Sequence, residues 1–257
     1  MSRMVRKILL VGVLGLMISG CAASDADKKA LQQGFADYNA RHFDLAETAA
    51  TGFIQKNANV PNVDEAYYLR GLARLGRGDK AGAIADLQVA LQKTQRNDLK
   101  AKSLRTLGDI AYDEQTWTEA RDDYQKALTF SPDAKEESYL EYRMGATLQS
   151  LGQWDAARPY FQRVIVLNAD SSLNERALAR MNARSFSIQF GAFADVRKAG
   201  ELKARLIATG LSATVATESH AGQIQFFVRY GNYLTQDIAD AARKYLLTKY
   251  PAAVVVP

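Results

Sequence analysis

The sequence contains few of the residues that hold small folds together through covalent or metal bonds. Among 257 residues there are one cysteine, two histidines and five prolines. One cysteine excludes a disulfide bond within the chain, and two histidines argue against a histidine-based zinc site. The longest apolar run, residues 8–18, is too short to cross a hydrocarbon layer of about 30 Å. Because cysteine and histidine are so scarce, we predict no metal site, and we predict no bound cofactor.

Length and composition are those of a folded chain with one or two domains, since 47% of the residues are hydrophobic and 24% are charged. The charge is unevenly divided. Residues 1–24 carry a net charge of +3, residues 25–183 hold 21 basic and 23 acidic side chains, and residues 184–257 hold 9 basic against 5 acidic. Without its first segment, the chain is basic only in its last third.

The amino terminus is organised like a secretory signal. Three basic residues precede the apolar run, and small residues follow it. The segment Ile18-Ser19-Gly20-Cys21 resembles the lipobox of bacterial lipoproteins. This resemblance implies that residues 1–20 are a signal peptide, that Cys21 carries a diacylglycerol, and that residues 21–26 form a lipidated linker. The alternative is an ordinary secretory signal with a cysteine at this place by chance.

The residue after the cysteine bears on localisation. It is Ala22, and no aspartate stands there to act as an inner-membrane retention signal. The lipoprotein resemblance therefore implies the periplasmic face of the outer membrane, with membrane contact through the lipid anchor.

An internal repeat of 37 residues follows. Three columns recur at this offset, and they are Gly34, Gly71, Gly108 and Gly145; Ala46, Ala83, Ala120 and Ala157; and Phe53, Ala90, Ala127 and Val164. Small residues at these positions allow two antiparallel helices to pack closely. A bulkier column is predicted to lie under the second helix of each unit, and it comprises Phe43, Lys80, Trp117 and Trp154.

These columns resemble the tetratricopeptide repeat, most clearly over residues 101–134. The resemblance implies an all-helical solenoid over residues 27–183 with about four repeats, and it places the three extra residues of each unit in the turns between repeats. Ser172 and Glu175 form a capping box that predicts a last helix to about Ala183, which would cover the apolar edge of the final repeat.

The concave groove of this family is formed by the first helix of each unit. The matching positions are Leu31, Phe35, Tyr38, Tyr68, Leu72, Arg105, Asp109, Tyr112, Tyr139 and Tyr142. Tyrosine supplies contact area and a hydroxyl, so this groove of near-zero net charge favours an unidentified protein or peptide partner. We predict that the contacts with this partner come from Tyr38, Tyr68, Arg105, Tyr112, Tyr139 and Tyr142. Packing of the tyrosines between repeats is the alternative.

The hydrophobic pattern changes from helical to alternating after Arg184. Residues 186–190 alternate as in a half-buried strand, and the following segments predict the order βαββαβ. Asp195 and Thr235 are expected to start the two helices.

The two halves of this region match each other at an offset of 40 residues, so that residues 188–193 align with residues 228–233. Such a duplicated unit resembles the SPOR (sporulation-related repeat) domain, over residues 185–256. The resemblance implies binding of peptidoglycan, with a preference for glycan strands stripped of their stem peptides. The predicted fold class is therefore an α-solenoid followed by a small βαββαβ domain of the ferredoxin or RRM type.

Both helices of a βαββαβ fold cover one side of the sheet and leave the central strands open on the other. Residues predicted to face outward are Ser187, Gln189, Gly191, Gln223, Gln225, Phe227 and Arg229, while Ile224, Phe226, Val228 and Tyr230 face inward. We predict glycan contacts from Gln189, Gln225, Phe227 and Arg229, because amides and a guanidinium can bind sugar hydroxyls and an exposed ring marks a contact surface.

Gln189 stands at the glutamine of the family's first-strand motif. Gln225 and Phe227 stand where members often carry an aromatic residue and an arginine, so the third-strand pattern is shifted. The alternative is a surface glutamine pair with Phe227 covered by a loop or by the solenoid.

Two other function classes are disfavoured. RRM domains bind RNA on the same sheet face, but export and a single outward aromatic argue against nucleic acid. The sequence has no HExxH, no GxSxG and no Cys–His pair, so no catalysis is expected, and the phosphate-loop-like residues 76–81 join two helices and follow no strand.

The sequence thus predicts a non-catalytic, lipid-anchored envelope protein that binds peptidoglycan and a protein partner in cell division or wall remodelling. The alternative is an assembly or scaffold lipoprotein of a secretion or pilus system, in which the repeats are the main binding module.

Overall fold

The computed structural model describes residues 22–130, 133–220 and 223–257. The predicted signal peptide, residues 1–20, and Cys21 lie outside these residues. The first part of the chain is helical, and its elements are α1 (Asp25–Asn39), α2 (Phe43–Lys56), α3 (Val63–Gly76), α4 (Lys80–Lys93), α5 (Asn97–Asp113), α6 (Trp117–Leu128), α7 (Ala134–Ser150), α8 (Trp154–Leu167) and α9 (Ser171–Met181).

The second part mixes strands and helices, namely β1 (Phe186–Phe193), α10 (Val196–Ala208), β2 (Thr214–His220), β3 (Gln223–Tyr233), α11 (Gln236–Leu246) and β4 (Val254–Val256). This order confirms the predicted fold class of a helical solenoid followed by a small α/β domain.

Close approach of paired helices explains the glycine column. A Cβ atom placed on Gly108 would lie 2.7 Å from the ring of Tyr124, and one placed on Gly145 would lie 2.8 Å from the ring of Phe161. Both rings are fully buried. A larger residue at either glycine would therefore push the two helices of a repeat apart.

The turn between the two helices of each repeat contains one residue with left-handed backbone geometry. These residues also recur every 37 positions, and they are Arg41 (φ 65°), Gly78 (φ 87°), Gln115 (φ 60°) and Gly152 (φ 77°). Glycine adopts this conformation without steric cost, whereas Arg41 and Gln115 carry strain.

Two local predictions about the solenoid were wrong. The extra residues of the repeat are partly in the first helices, because α5 and α7 have 17 residues each. The N-cap of α9 is Asp170, whose side chain accepts from the N–H of Leu173 at 2.9 Å, and Ser172 lies inside the helix. Aspartate and serine are both favoured N-cap residues, so the sequence contains two N-cap candidates that lie two residues apart, Asp170 and Ser172.

The four strands form one antiparallel sheet in the order β2-β3-β1-β4. Helix α10 packs on it through Ala199 and Leu206, which share a core with Val228. Helix α11 packs through Ala239, which contacts Phe186 of β1. The sheet thus has one side covered by its own helices. No helix in the described part of the chain is long and apolar enough to cross a membrane.

Candidate functional site

The side of the sheet opposite α10 and α11 carries a pair of polar residues on the two central strands. Gln189 of β1 lies directly across from Arg229 of β3 in the strand register. The guanidinium Nε of Arg229 donates to Oε1 of Gln189 at 3.3 Å. Cross-strand partners point to the same side of a sheet, so these two predicted residues are adjacent.

Phe227 lies two residues before Arg229 and therefore on the same side. The guanidinium carbon of Arg229 is 5.1 Å from the centre of its ring, within the range of a cation–π contact. Phe227 is only 7% exposed. The prediction of an exposed ring was therefore wrong.

Arg229 is fixed from two directions. Besides its bond to Gln189, its Nη1 lies 2.6 Å from a carboxylate oxygen of Glu218 on β2. Gln225, the fourth predicted contact, lies across from Glu218 on the same strand pair and is half-buried. The predicted glycan contacts thus share one side of the sheet, with the arginine held in place before any ligand arrives.

A bulge changes which side of the sheet one predicted position, Gly191, faces. The register passes from Gln189 opposite Arg229 to Gly191 opposite Val228, which leaves Phe190 as an extra residue in β1. A Cβ on Gly191 would point toward Leu202 of α10, at 3.4 Å, so Gly191 faces the helices. Its predicted outward position was wrong.

The first residues of β3 also depart from the prediction. Ile224, expected to point inward, is 60% exposed. It pairs with Ser219 near the far end of β2, beyond the buried part of the sheet. Alternation thus predicts a side chain's direction, whereas burial depends on whether the core extends that far.

The open side of the sheet forms one wall of a cleft whose volume is about 580 Å³. Its lining residues are Ala179 and Arg180 from α9, Glu218 and Ser219 from β2, Phe227 and Arg229 from β3, and Val256 and Pro257 at the carboxyl end. The last solenoid helix therefore faces the sheet across the cleft. No pattern in the sequence indicates this, because it depends on how the two domains dock.

Two tryptophans of the repeat column make the contact between the domains. The indole Nε1 of Trp117 donates to Oδ1 of Asp237 at 2.8 Å. The indole Nε1 of Trp154 donates to the backbone oxygen of Leu234 at 2.9 Å. The sequence assigned both residues only to packing under the second helices, so this role was missed.

Neighbouring residues extend the same interface. Gln115 Nε2 donates to Asp240 at 3.1 Å, and Ser150 Oγ donates to Gln236 at 2.8 Å. The ring of Trp154 meets that of Phe186 edge-on, with centres 4.9 Å apart. The turns of the third and fourth repeats thus hold the region from Leu234 through α11.

The predicted groove of the solenoid contains a polar cluster around Asp109. One of its carboxylate oxygens accepts from the hydroxyls of Tyr124 at 2.7 Å and Tyr139 at 2.9 Å, and from Nε of Arg143 at 3.0 Å. The Arg143 guanidinium lies 4.0 Å from the ring centre of Tyr112. Burial raises the pKa of Tyr139 above its ordinary value, and the adjacent carboxylate raises it further.

Arg105 lies beside this cluster. Its guanidinium is 3.1 Å from Glu136 and stands over the ring of Tyr139 at 5.4 Å. The structure therefore brings Arg105, Tyr112 and Tyr139 together, as the groove positions of the sequence require.

Two other groove predictions were wrong. Tyr68 is 7% exposed and packs in the apolar core with Leu87 and Ile110, and Tyr142 is 6% exposed. The ring of Tyr142 packs edge-on against Phe161. These two tyrosines pack between helices and have no surface for a partner. Tyr38 is half-buried.

The described residues contain no group of three or more His, Cys, Asp or Glu side chains that could hold a metal ion.

Comparison with protein families agrees with the two-part architecture. Residues 182–257 match the SPOR domain family, and residues 31–98 match the tetratricopeptide repeat family. The chain therefore combines a region similar to SPOR domains, a family that binds peptidoglycan, with a region similar to tetratricopeptide repeats, a family of protein-interaction modules. Both are binding domains without catalytic function. Among curated proteins no relative of this sequence was found.

Solved structures with the same helical fold include a tetratricopeptide repeat protein of Parabacteroides merdae. It is 15% identical with a TM-score of 0.52, and the match covers 62% of this chain and 59% of that protein. PilF of Pseudomonas aeruginosa is also 15% identical, with a TM-score of 0.51 and coverage of 88% and 93%. At this identity the likeness shows the fold alone.

Proposed function

We propose that this chain is a non-catalytic, lipid-anchored protein of the periplasmic face of the outer membrane that binds glycan strands of peptidoglycan and docks a protein partner on its repeats. The process it serves is cell division or wall remodelling. It would hold its partner where glycan strands stripped of stem peptides accumulate. The domain boundaries we propose are those of the sequence, with a solenoid over residues 27–183 and a SPOR domain over residues 185–256.

The observation that carries the glycan part is the arrangement of Gln189, Arg229 and Phe227 on the open side of the sheet. The glutamine amide and the guanidinium offer several N–H donors to sugar hydroxyls and N-acetyl carbonyls. Because Arg229 is already held by Gln189 and Glu218, little side-chain entropy is lost when a sugar binds. The buried ring supports the arginine from below, so its role is positional.

Pelleting with purified sacculi tests this part. The full chain is mixed with sacculi before and after amidase digestion, and the bound fraction is measured. We expect Gln189→Ala with Arg229→Gln to reduce retention on digested sacculi at least about tenfold, the loss expected from two polar contacts. Phe227 is left unchanged, because its burial would make a truncation destabilising.

Arg197→Gln is the matched control. It removes the same charge from the same domain, but Arg197 is exposed on α10, on the covered side of the sheet. Equal losses in the control and the double variant would indicate only non-specific attraction of a basic domain. Full retention in the double variant would place the glycan site elsewhere.

Lipid anchoring is tested separately with Cys21→Ser. The cysteine is the only residue of its kind in the chain, so the substitution removes the sole acceptor for a thioether-linked lipid. We expect the variant in the soluble periplasmic fraction, whereas the unaltered chain pellets with outer membranes. A variant that still fractionates with membranes would contradict the lipoprotein assignment.

One observation favours the second function, that of an assembly or scaffold lipoprotein of a secretion or pilus system. Burial of Phe227 leaves the sheet face with fewer contacts for sugar, while the repeats keep large surfaces. Localisation of a fluorescent fusion separates the two functions. Septal enrichment that depends on amidases supports the first, and a polar or diffuse pattern unaffected by amidase loss supports the second.

A further inference from the structure

The grooves between successive second helices of the repeats differ in what fills them. The first groove lies between α2 and α4, and arginines of this chain occupy it. Arg70 donates to both carboxylate oxygens of Asp86, at 2.8 and 2.6 Å. Arg74 donates to Glu47 at 3.0 Å and to Asp86 at 2.8 Å, and Arg77 pairs with Glu47. Positive charge and carboxylates therefore neutralise each other within this groove.

The next groove, between α4 and α6, keeps a carboxylate but has lost the arginines. A shift of 37 residues replaces Arg70, Arg74 and Arg77 with Leu107, Ala111 and Glu114, Glu47 with Ile84, and Asp86 with Asp123. Three cations are thus exchanged for two apolar residues and one acid. Equivalent positions in successive repeats thus show which positive charges the second groove lacks.

The second groove is an open cavity of about 530 Å³. Its floor is apolar and includes Ile84, Leu91, Leu107 and Ile110. Its rim carries Glu114, Glu119, Asp122 and Asp123, against one lysine, Lys126.

Two rim carboxylates are paired with cations of this chain, Glu114 with Lys80 at 3.0 Å and Asp122 with Arg121 at 2.8 Å, whereas Asp123 has only a distant cation. Lys126 lies 3.9 Å from Asp123, whereas the equivalent Asp86 has two guanidiniums within 2.8 Å. Burial raises the pKa of Asp123 above its ordinary value, and the neighbouring Asp122 raises it further. A cation placed beside Asp123 would therefore be favoured by charge complementarity.

We propose that the groove between α4 and α6 binds a basic segment of another protein in which arginines are interspersed with aliphatic residues. The guanidiniums would take the positions that Arg70 and Arg74 occupy in the first groove, bidentate to Asp123 as Arg70 is to Asp86. The aliphatic side chains and the arginine stems would cover the floor. This inference rests on the protein-binding part of the proposed function and does not depend on glycan binding.

Fluorescence anisotropy with the full chain tests it. The probe is a fluorescein-labelled peptide of about twelve residues with three arginines separated by leucine and alanine. A second peptide carries glutamate for arginine, and a third carries serine for leucine. We expect saturable binding of the first peptide, no binding of the glutamate peptide, and weakened binding of the serine peptide.

Two variants place the binding in the groove. Leu107→Arg rebuilds the arginine of the first groove opposite Asp123, and Asp122→Asn with Asp123→Asn removes two of the four carboxylates of the rim. Each is expected to weaken binding at least about tenfold, the size of one charge-assisted contact. Because the same fold accommodates Arg70 at the equivalent place, Leu107→Arg is expected to fold, and circular dichroism checks this.

The matched control is Glu175→Gln, which removes one negative charge from an exposed position on α9. It is expected to leave peptide binding unchanged. Absence of saturable binding, equal binding of the glutamate peptide, or full binding by both groove variants would overturn the proposal. Self-association of the chain that Leu107→Arg abolishes would identify a second copy as the occupant and overturn it too.

Sacculus retention of the same variants separates this inference from the proposed function. Loss of peptide binding with normal retention on digested sacculi concerns the groove alone. Loss of retention in Gln189→Ala with Arg229→Gln, with normal peptide binding, concerns the glycan site alone.

Discussion

Replacing Trp154 with alanine is expected to loosen the C-terminal domain from the solenoid. Trp154 belongs to α8, but the apolar cluster around it consists of Phe186 and Ala239 of the C-terminal domain, with Tyr233 and Val255 of that domain and Ala183 of the solenoid at its edge. Truncating a tryptophan that is 6% exposed costs about 3–5 kcal/mol. Within that sum, the hydrogen bond to Leu234 accounts for about 1 kcal/mol and the edge-on contact with Phe186 for about 1 kcal/mol.

Hydrogen exchange followed by mass spectrometry measures where this energy acts. Peptides from β1 and β3 are expected to lose protection by roughly a hundredfold, since about 3 kcal/mol corresponds to that factor. Peptides from α1 to α4 should exchange as before. A loss of protection confined to α7 and α8, with the sheet unchanged, would refute the reasoning, because Trp154 would then stabilise only its own repeat.

Trp154→Phe provides the graded control. It keeps an aromatic ring against Phe186 and removes the N–H that Leu234 accepts. We expect it to cost about 1 kcal/mol, or about a fivefold loss of protection in β1 and β3. A cost equal to that of the alanine variant would mean that the hydrogen bond, and not the ring, holds the interface.

Three further outcomes concern the solenoid. Burial and a neighbouring carboxylate raise the pKa of Glu141 to about 7. The folded state therefore binds the Glu141 proton more tightly than the unfolded state. As a result, the free energy of unfolding falls as the pH rises toward 7 and this proton is lost. Glu141→Gln should therefore raise the free energy of unfolding at pH 8 by about 1 kcal/mol, allowing for solvent screening, and have little effect at pH 4. Urea titrations at both pH values measure this difference. An equal gain at both pH values would disprove the argument. Gly78→Ala should lower the free energy of unfolding by about 1 kcal/mol, because the φ of Gly78 is positive. Gly52→Ala, inside α2 with open space around the new methyl group, should raise it by about 0.5 kcal/mol. Equal melting temperatures for the two variants would contradict the backbone argument. Asp109→Ala should cost about 2–3 kcal/mol in urea unfolding because it leaves the guanidinium of Arg143 half-buried without its carboxylate, and a neutral effect would show that the cluster is not stabilising.

The solenoid was predictable because its repeat is a packing constraint visible in one dimension. At Gly108 and Gly145 a ring from the paired helix occupies the space of a Cβ, and at Gly34 and Gly71 the side chains of Ala49 and Leu87 fill it, so the spacing of 37 residues records a close helix contact four times. The order of strands and helices was likewise predictable from alternating and helical periodicity.

The side of the sheet on which each residue lies was only partly predictable. Gln189, Phe227 and Arg229 share a side as alternation requires, but the extra residue at Phe190 reverses the direction of Gly191. Nothing in the sequence around Phe190 indicates a bulge, because a bulge is a property of the pair of strands.

Burial at the site depends on contacts between distant segments, which a single sequence does not encode locally. Phe227 lines a cleft together with Ala179 and Arg180 of α9, and Trp117 and Trp154 act across the domain boundary. A tryptophan at the N-terminus of a second helix in two successive repeats, where Phe43 and Lys80 occupy the earlier ones, was the one available signal.

Among the described residues, the side-chain hydrogen bonds that join the repeats to α11 and the turn before it come from the third and fourth repeats, through Gln115, Trp117, Ser150 and Trp154. The units upstream of α5 take no part in these hydrogen bonds. Duplication or deletion of one whole 37-residue unit ahead of α5 would therefore change the distance between α1 and the sheet while leaving the joint unaltered. The number of repeats acts as a spacer whose length evolution or an engineer can adjust in fixed increments.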